Sequence, residues 1–269
     1  MSLMHLTSEL IARAEQFSVG FHAARMGAIA TLPGNPFGVE LRPLSDGIAC
    51  KVRHPLLKGK NRVIGFQPED LGQLEELLNF YREDNLRFSL FVPHGQMTPE
   101  LFERFVQVGL WSAGSGTVPA LIPEGATASD IPDIHVRRSE LEEREAYLDL
   151  FQQAFGHREE RSPEYREIQW AEDSLLGGAR YVAEIDGKPV GMASFPIVDG
   201  VGFLGTAGVL PEYRRRGVQR ALIRQRLADA PALGCDLVLA GGSPGSTTYR
   251  NFERAGFRLI PTGTGWQER

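Results

Sequence analysis

The stretch GTAGVLPEYRRRGVQRALIRQRL, residues 205–227, decides how the chain is read. Residues 203–209 are apolar and small, and carry no charge. They predict a strand, which Pro211 ends because proline has no N–H to give to a ladder. Arg214, Arg215, Arg216 and Gly217 follow, and then a helical pattern. Val218 and Leu222 stand four residues apart, as do Ile223 and Leu227, so two adjacent strips can face a core. A strand, a basic glycine turn and a helix start together make a device for holding phosphate. The first N–H groups of a helix lack internal partners and carry the positive end of its dipole. Gly217 permits close approach to the backbone, and the arginines add charge that the amides lack.

The rest of the composition points to a site and not to a general field. The chain has 269 residues, 42% of them hydrophobic, and a net charge of -5, so an extended basic surface for nucleic acid is not expected. Cys50 and Cys235 lie far apart in apolar contexts and read as buried reduced thiols; their spacing suggests neither a metal site nor a disulfide framework. No apolar run is long enough to span a membrane. The N-terminus lacks the charged and apolar regions of a signal peptide. A cytoplasmic protein that binds neither membrane nor nucleic acid is the expectation, and a homodimer is compatible with it.

Further along the chain, residues 8–26 read as a helix capped by Thr7 or Ser8, and residues 39–42, 48–53 and 62–66 as short strands. A helix is expected over 68–81, a strand over 86–92, and a helix opened by Thr98-Pro99 that stops at Gly109. Residues 110–122 look like a strand broken by Gly114-Ser115-Gly116. Residues 123–132, PEGATASDIP, form the best linker in the sequence. After it come a strand over 134–137 and a helix opened by a Ser139/Glu142 capping box. One more short helix is expected within 156–176. Strands at 181–185, 190–198 and 203–209 are joined by Asp186-Gly187 and Asp199-Gly200, both strong hairpin signals. The C-terminal part reads as a strand at 236–240, a helix over 246–255 stopped by Gly256, and a last strand at 257–260.

The run VLPEYRRRGVQRALI resembles the acyl-CoA pyrophosphate loop of the GCN5-related N-acetyltransferase (GNAT) superfamily, whose pattern is Gln/Arg-x-x-Gly-x-Gly/Ala. Arg214 takes the first position and Gly217 the second, while Gln219 stands where glycine or alanine is usual. The resemblance covers residues 132–269. It implies an α+β or α/β fold with a mixed, mostly antiparallel sheet flanked by helices, and acetyl-CoA as cosubstrate. Pyrophosphate would be held by Arg214, Arg215, Arg216, Gly217, Val218, Gln219 and Arg220, with the pantetheine arm along Val209. The family often uses a tyrosine to protonate the leaving thiolate, and Phe252 stands at that position here. Tyr249 and Ser246 are the nearest candidate donors, with Ser243 behind them. Glu184, His157, Glu172 and Asp173 are candidate bases by residue type alone. Residues 157, 158 and 170 fall in the segment that shapes the acceptor pocket in this family; Trp266 reads as core or edge packing.

The two halves share a layout. Pro68-Glu69 and Pro211-Glu212 each precede a helix, a strand and a second helix, the latter ending at Gly109 and Gly256 respectively. Where the second half has arginines, the first has Glu69, Asp70, Glu75 and Glu76, which would repel pyrophosphate. Two tandem domains are therefore expected. Residues 1–124 would be degenerate and residues 132–269 competent to bind acetyl-CoA. The expected function is acetyl transfer to a small-molecule or peptide amine. The alternative is a non-enzymatic CoA-binding or regulatory module, and a weaker one is transfer of a longer acyl group.

Overall fold

The computed structural model describes residues 6–123, 126–128, 131–156, 163–174, 178–242 and 245–268. The chain divides into two compact units. One comprises Leu6–Val118 with Ile260–Arg269, and the other contains Pro119–Leu259. The divisions fall inside two strands, so each unit borrows one end of a strand that begins in the other.

The first unit opens with α1 (Ser8–Ala30), capped by the Thr7 hydroxyl, which accepts the Leu10 N–H. A meander of β1 (Val39–Pro43), β2 (Ile48–Val52) and β3 (Arg62–Ile64) follows. A 3-10 turn at Pro68–Gln73 leads into α2 (Leu74–Arg82), so the helix expected from residue 68 is an α-helix only in its second part. β4 (Ser89–Val92) is parallel to β3. α3 (Pro99–Gln107) is capped by Thr98, as expected. β5 (Leu110–Leu121) then runs unbroken: Gly114 takes φ +112° within the strand and does not end it. The core of this unit is built from Phe66, Leu74, Leu78, Tyr81, Leu90, Phe105 and Trp266. Tyr81 is fully buried, and its hydroxyl donates to the Cys50 carbonyl at 2.8 Å.

The second unit starts with β6 (His135–Arg138), α4 (Arg144–Phe155) and α5 (Pro163–Ser174). The expected Ser139/Glu142 box is displaced by one residue. The Glu143 carboxylate accepts the Glu140 N–H at 2.9 Å, while Ser139 gives its N–H to Arg180 O as part of the sheet edge. β7 (Gly178–Ile185) and β8 (Lys188–Val198) form a hairpin over Asp186-Gly187, both at positive φ, as a tight two-residue turn requires. Asp199-Gly200 does the same between β8 and β9 (Val201–Leu204). The single strand expected over 203–209 is two: β9 and, after Gly205-Thr206, β10 (Ala207–Val209). α6 (Val218–Asp229), β11 (Leu237–Ala240), α7 (Thr247–Ala255) and β12 (Arg258–Glu268) complete the chain. β12 is far longer than the expected last strand, because its C-terminal residues pair with β4 inside the first unit.

In the second unit the sheet order is β5-β11-β9-β8-β7-β6, antiparallel except that β11 runs parallel to β9. A parallel neighbour needs a crossover, which α6 supplies. On one face Ala193, Phe195, Val218, Leu222, Phe252 and Phe257 pack together. On the other, Tyr147 and Phe151 of α4 meet Val182 and Met192. The first unit has the same local connectivity: β3, the helix α2, then the parallel β4.

Acid should loosen the α4 end of this unit. Arg137 grips both oxygens of Glu143 at 2.8 Å and reaches Glu184 at 2.8 Å. Arg137, and then the Glu140 N–H, push the Glu143 carboxyl down to about 2. A depressed carboxyl stabilises the fold above its unfolded value, near 4.5, and that contribution disappears as pH falls towards about 2. Glu143→Gln should therefore lower the melting temperature at pH 7. Melts across pH 7 to 2 should show the gap to the wild type closing below 4.5; a gap independent of pH would show that the pair contributes nothing through ionisation.

Candidate acyl-CoA site

The site begins at a mismatch in the sheet. Ala207 lies opposite Ala193, and Gly202 opposite Ile197. Between those pairs β9–β10 has one residue more than β8, which is a β-bulge centred on Gly205-Thr206. Its effect is to pull β10 away from β11. β9 pairs with both β8 and β11, whereas β10 pairs with β8. Thr206 O accepts the Ser194 N–H at 2.9 Å, and Leu210 N–H reaches Val190 O at 2.9 Å. By the two-residue alternation of a strand, Ala207 and Val209 present their backbone groups to the opposite edge. No strand among the described residues covers that edge.

β10 leads directly into the basic turn. Arg215 takes φ +64° and Gly217 φ +93°, and Gly217 is the N-cap of α6 with no side chain to satisfy the helix's first N–H groups. α6 has no acidic residue in its first turn. Its open positive end faces a cleft of about 650 Å³ lined by β10, the turn, the first residues of α6, and Thr247, Asn251 and Arg254 of α7. Val209, Arg214, Arg215, Gly217, Val218, Gln219 and Arg220 all line it. Arg216 does not; its guanidinium lies 5.4 Å from the Tyr213 ring centre. Among the described residues neither Arg215 nor Arg220 has an acidic partner.

Two of the expected binders have tasks within the protein. Arg214 donates from Nε to Val209 O at 3.1 Å and from Nη2 to Ala154 O at 2.7 Å, tying the end of α4 to β10. The contact is close enough that a Cβ built on Gly208 would stand 2.7 Å from the Ala154 Cβ. Gln219, at the position that departs from the family pattern, donates to Thr248 Oγ1 at 3.2 Å and accepts from Asn251 at 2.7 Å. It pins the first turn of α6 to α7.

The candidate proton donors sit on α7. Ser246 is its N-cap, and its hydroxyl accepts the Tyr249 N–H at 3.1 Å. Tyr249 is 8% exposed, and among the described residues its hydroxyl has no partner. Burial, then Glu253, raises its pKa, so it is a neutral donor at physiological pH. Phe252 is core, 5.4 Å from the Phe257 ring centre. Glu184 is engaged by Arg137. The side chains of Glu172 and Asp173, and residues His157, Arg158 and Ser243, lie outside the described residues. Trp170 on α5 is flanked by the guanidinium of Arg180 at 4.5 Å and of Arg144 at 5.1 Å. Trp266 is buried in the first unit's core.

Sequence reasoning missed Arg226, which is 1% exposed. The signal was present: Val218, Leu222 and Arg226 recur at four-residue spacing, so an arginine lies on the apolar stripe.

Residues 144–257 match the sequence model of the acetyltransferase (GNAT) family. Over these 114 of the chain's 269 residues the sequence is similar to a GNAT-family acetyltransferase domain. The match runs from the first residue of α4 to the residue before β12 and includes the bulge, the basic turn and α7. The fold is shared with a GCN5-related N-acetyltransferase from Kribbella flavida (19% identity, TM-score 0.61, covering 91% of this chain and 95% of that one). A GCN5-related N-acetyltransferase from Sphaerobacter thermophilus is also similar (17%, TM-score 0.54, 82% and 71%). So is a putative acetyltransferase of the GNAT family from Novosphingobium aromaticivorans (17%, TM-score 0.51, 93% and 99%). No curated protein matches the chain at a significant level. This similarity supports acyltransferase activity. No helix among the described residues is long and apolar enough to cross a membrane.

Proposed function

We propose that the chain is an N-acetyltransferase that moves an acetyl group from acetyl-CoA to a small-molecule or peptide amine. One observation carries this reading: the bulge-freed edge of β10 runs straight into the uncapped N-terminus of α6 within one cleft. An acyl-CoA has the matching order of parts, an amide-bearing arm and then a pyrophosphate. The arm adds to β10 as a strand, bonding to Ala207 and Val209. The pyrophosphate takes the N–H groups of Val218, Gln219 and Arg220, with Arg215 and Arg220 as counter-charges. The thioester then lies where β10 leaves β11. An amine nitrogen attacks its carbonyl carbon; the C–N bond forms, the C–S bond breaks, and the CoA thiolate leaves. The amine gives up its proton to water, and Tyr249, or secondarily Ser246, protonates the sulfur.

Residues 1–124 act as a degenerate relative of residues 132–269. The shared strand–helix–parallel strand connectivity supports this reading, as does the chemistry of the turn before α2. There Asp70 already accepts the N–H groups of Ser45 at 2.9 Å and Gln67 at 3.0 Å, so a carboxylate fills the place that an anion would need. The domain accordingly binds one acetyl-CoA per chain.

The test is thiol release from acetyl-CoA against a panel of primary amines, with binding stoichiometry measured in parallel. Amine-dependent release with one equivalent bound is the expected result. Binding without release under any amine would favour a CoA-binding regulatory module, the reading that Phe252 in the tyrosine position invites.

A further inference from the structure

Arg226 is a charge in the core of the second unit, and its surroundings explain where it points but not why it is charged. Nε donates to Leu222 O at 3.0 Å within its own helix. Nη1 donates to Ser194 O at 3.0 Å on β8. Ser194 is the residue opposite the bulge: its N–H bonds Thr206, and a Cβ built on Gly205 would lie 3.1 Å from its hydroxyl. Pro196, two residues on, has no N–H to offer across the same gap. The guanidinium thus enters from α6 at the place where β9 and β10 part. Among the described residues it has no carboxylate partner. The charged and titratable groups facing it are Tyr147 from α4 and Tyr181 from β7. Tyr181 in turn donates to Asp229 at 2.9 Å, and Asp229 is held by Arg138 at 3.0 Å. Burial lowers the Arg226 pKa to about 10, which leaves it a cation at neutral pH. Burying an ion without a counter-ion costs several kcal/mol, and an apolar side chain would have filled the stripe more cheaply. Serving one strand carbonyl is a small return for that cost.

We propose that Arg226 is a positioning residue for acyl transfer: it holds the bulged strand open at Ser194 and places positive potential beneath the opening. This rests on the acetyltransferase reading, since its use is to seat the thioester and to favour the negative charge that develops on the thioester oxygen. Arg226 acts through the bulge and need not touch the acyl group. It is not part of the pyrophosphate turn, so acetyl-CoA binding should survive its loss.

The experiment measures acetyl-CoA affinity by calorimetry, and turnover as thiol release from acetyl-CoA with the best amine of the panel, for wild type, Arg226→Lys and Arg226→Met. The wild type must first bind and turn over; failure there overturns the functional reading itself. For Arg226→Met, kcat should fall at least tenfold with KM for acetyl-CoA changed less than threefold. For Arg226→Lys, burial lowers the ammonium pKa, so turnover should be partly restored at low pH and lost as pH rises. That alkaline limb should be absent from the wild type, whose guanidinium stays charged. The thermal melt of each variant separates folding from function. Wild-type kcat in Arg226→Met, or an Arg226→Lys profile parallel to that of the wild type, would overturn the proposal. Should Arg226→Met fail to fold, the lysine profile decides alone.

Discussion

Substituting valine for Gly217 should weaken acetyl-CoA binding by on the order of 10³-fold. Gly217 sits at φ +93°, a region that β-branched residues avoid. Valine there must pull the turn towards negative φ, which rotates the N–H groups of Val218, Gln219 and Arg220 away from a common anion. Each hydrogen bond to a charged group contributes about 1.5–3 kcal/mol. Losing two costs roughly 4 kcal/mol, or about three powers of ten at 1.4 kcal/mol each. The fold should persist. A Cβ at this site first meets the Ile131 side chain, Cδ1 at 3.3 Å and Cγ2 at 3.6 Å, whose end can move. Calorimetric titration with acetyl-CoA, beside a melt, checks both halves. Unchanged affinity would mean that the pyrophosphate does not sit on this turn.

Tyr249→Phe should lower kcat at least tenfold, a loss of about 1.4 kcal/mol in the transition state, with little change in acetyl-CoA affinity. The phenol is neutral at working pH and its hydroxyl has no partner among the described residues, although Tyr249 is buried and does not line the cleft, standing two positions from the cleft-facing Thr247 and Asn251 and so on the other side of α7. A leaving thiolate, with a pKa of about 8.5, gains from a positioned donor although it departs without one. General acid help typically contributes roughly 10²–10⁴-fold, so tenfold is the smallest effect that the assignment tolerates. Full turnover in the variant would make Tyr249 structural and move the search to Ser246, whose hydroxyl already accepts the Tyr249 N–H.

The sequence was most legible where chemistry is local. Asp186-Gly187 and Asp199-Gly200 announce their turns because both residues of each must adopt positive φ. Thr98-Pro99 announces a helix start by the same kind of local rule. The basic turn from Arg214 to Gly217 belongs to this class, since its residues are contiguous. Three things were not legible. The bulge that splits 203–209 into β9 and β10 arises from a register difference between strands, which no single strand records. The length of β12 depends on β4, far away in sequence, so local pattern stopped it at residue 260. The Ser139/Glu142 box failed because Ser139 is committed to Arg180 O in the sheet, leaving Glu140 and Glu143 to open the helix. At the site, the charge of Arg214 is visible in sequence; its bonds to Val209 O and Ala154 O are not.

The central claim is that one acyl-CoA lies along β10 with its pyrophosphate on the α6 N-terminus. A crystal structure of the full chain grown with CoA tests it most directly. The account predicts pyrophosphate oxygens within hydrogen-bond distance of the N–H groups of Val218, Gln219 and Arg220, and the pantetheine arm bonded to Ala207 and Val209. Its thiol should end at the opening beside Gly205. CoA bound elsewhere on the chain, or a pyrophosphate on the turn before α2, would contradict it.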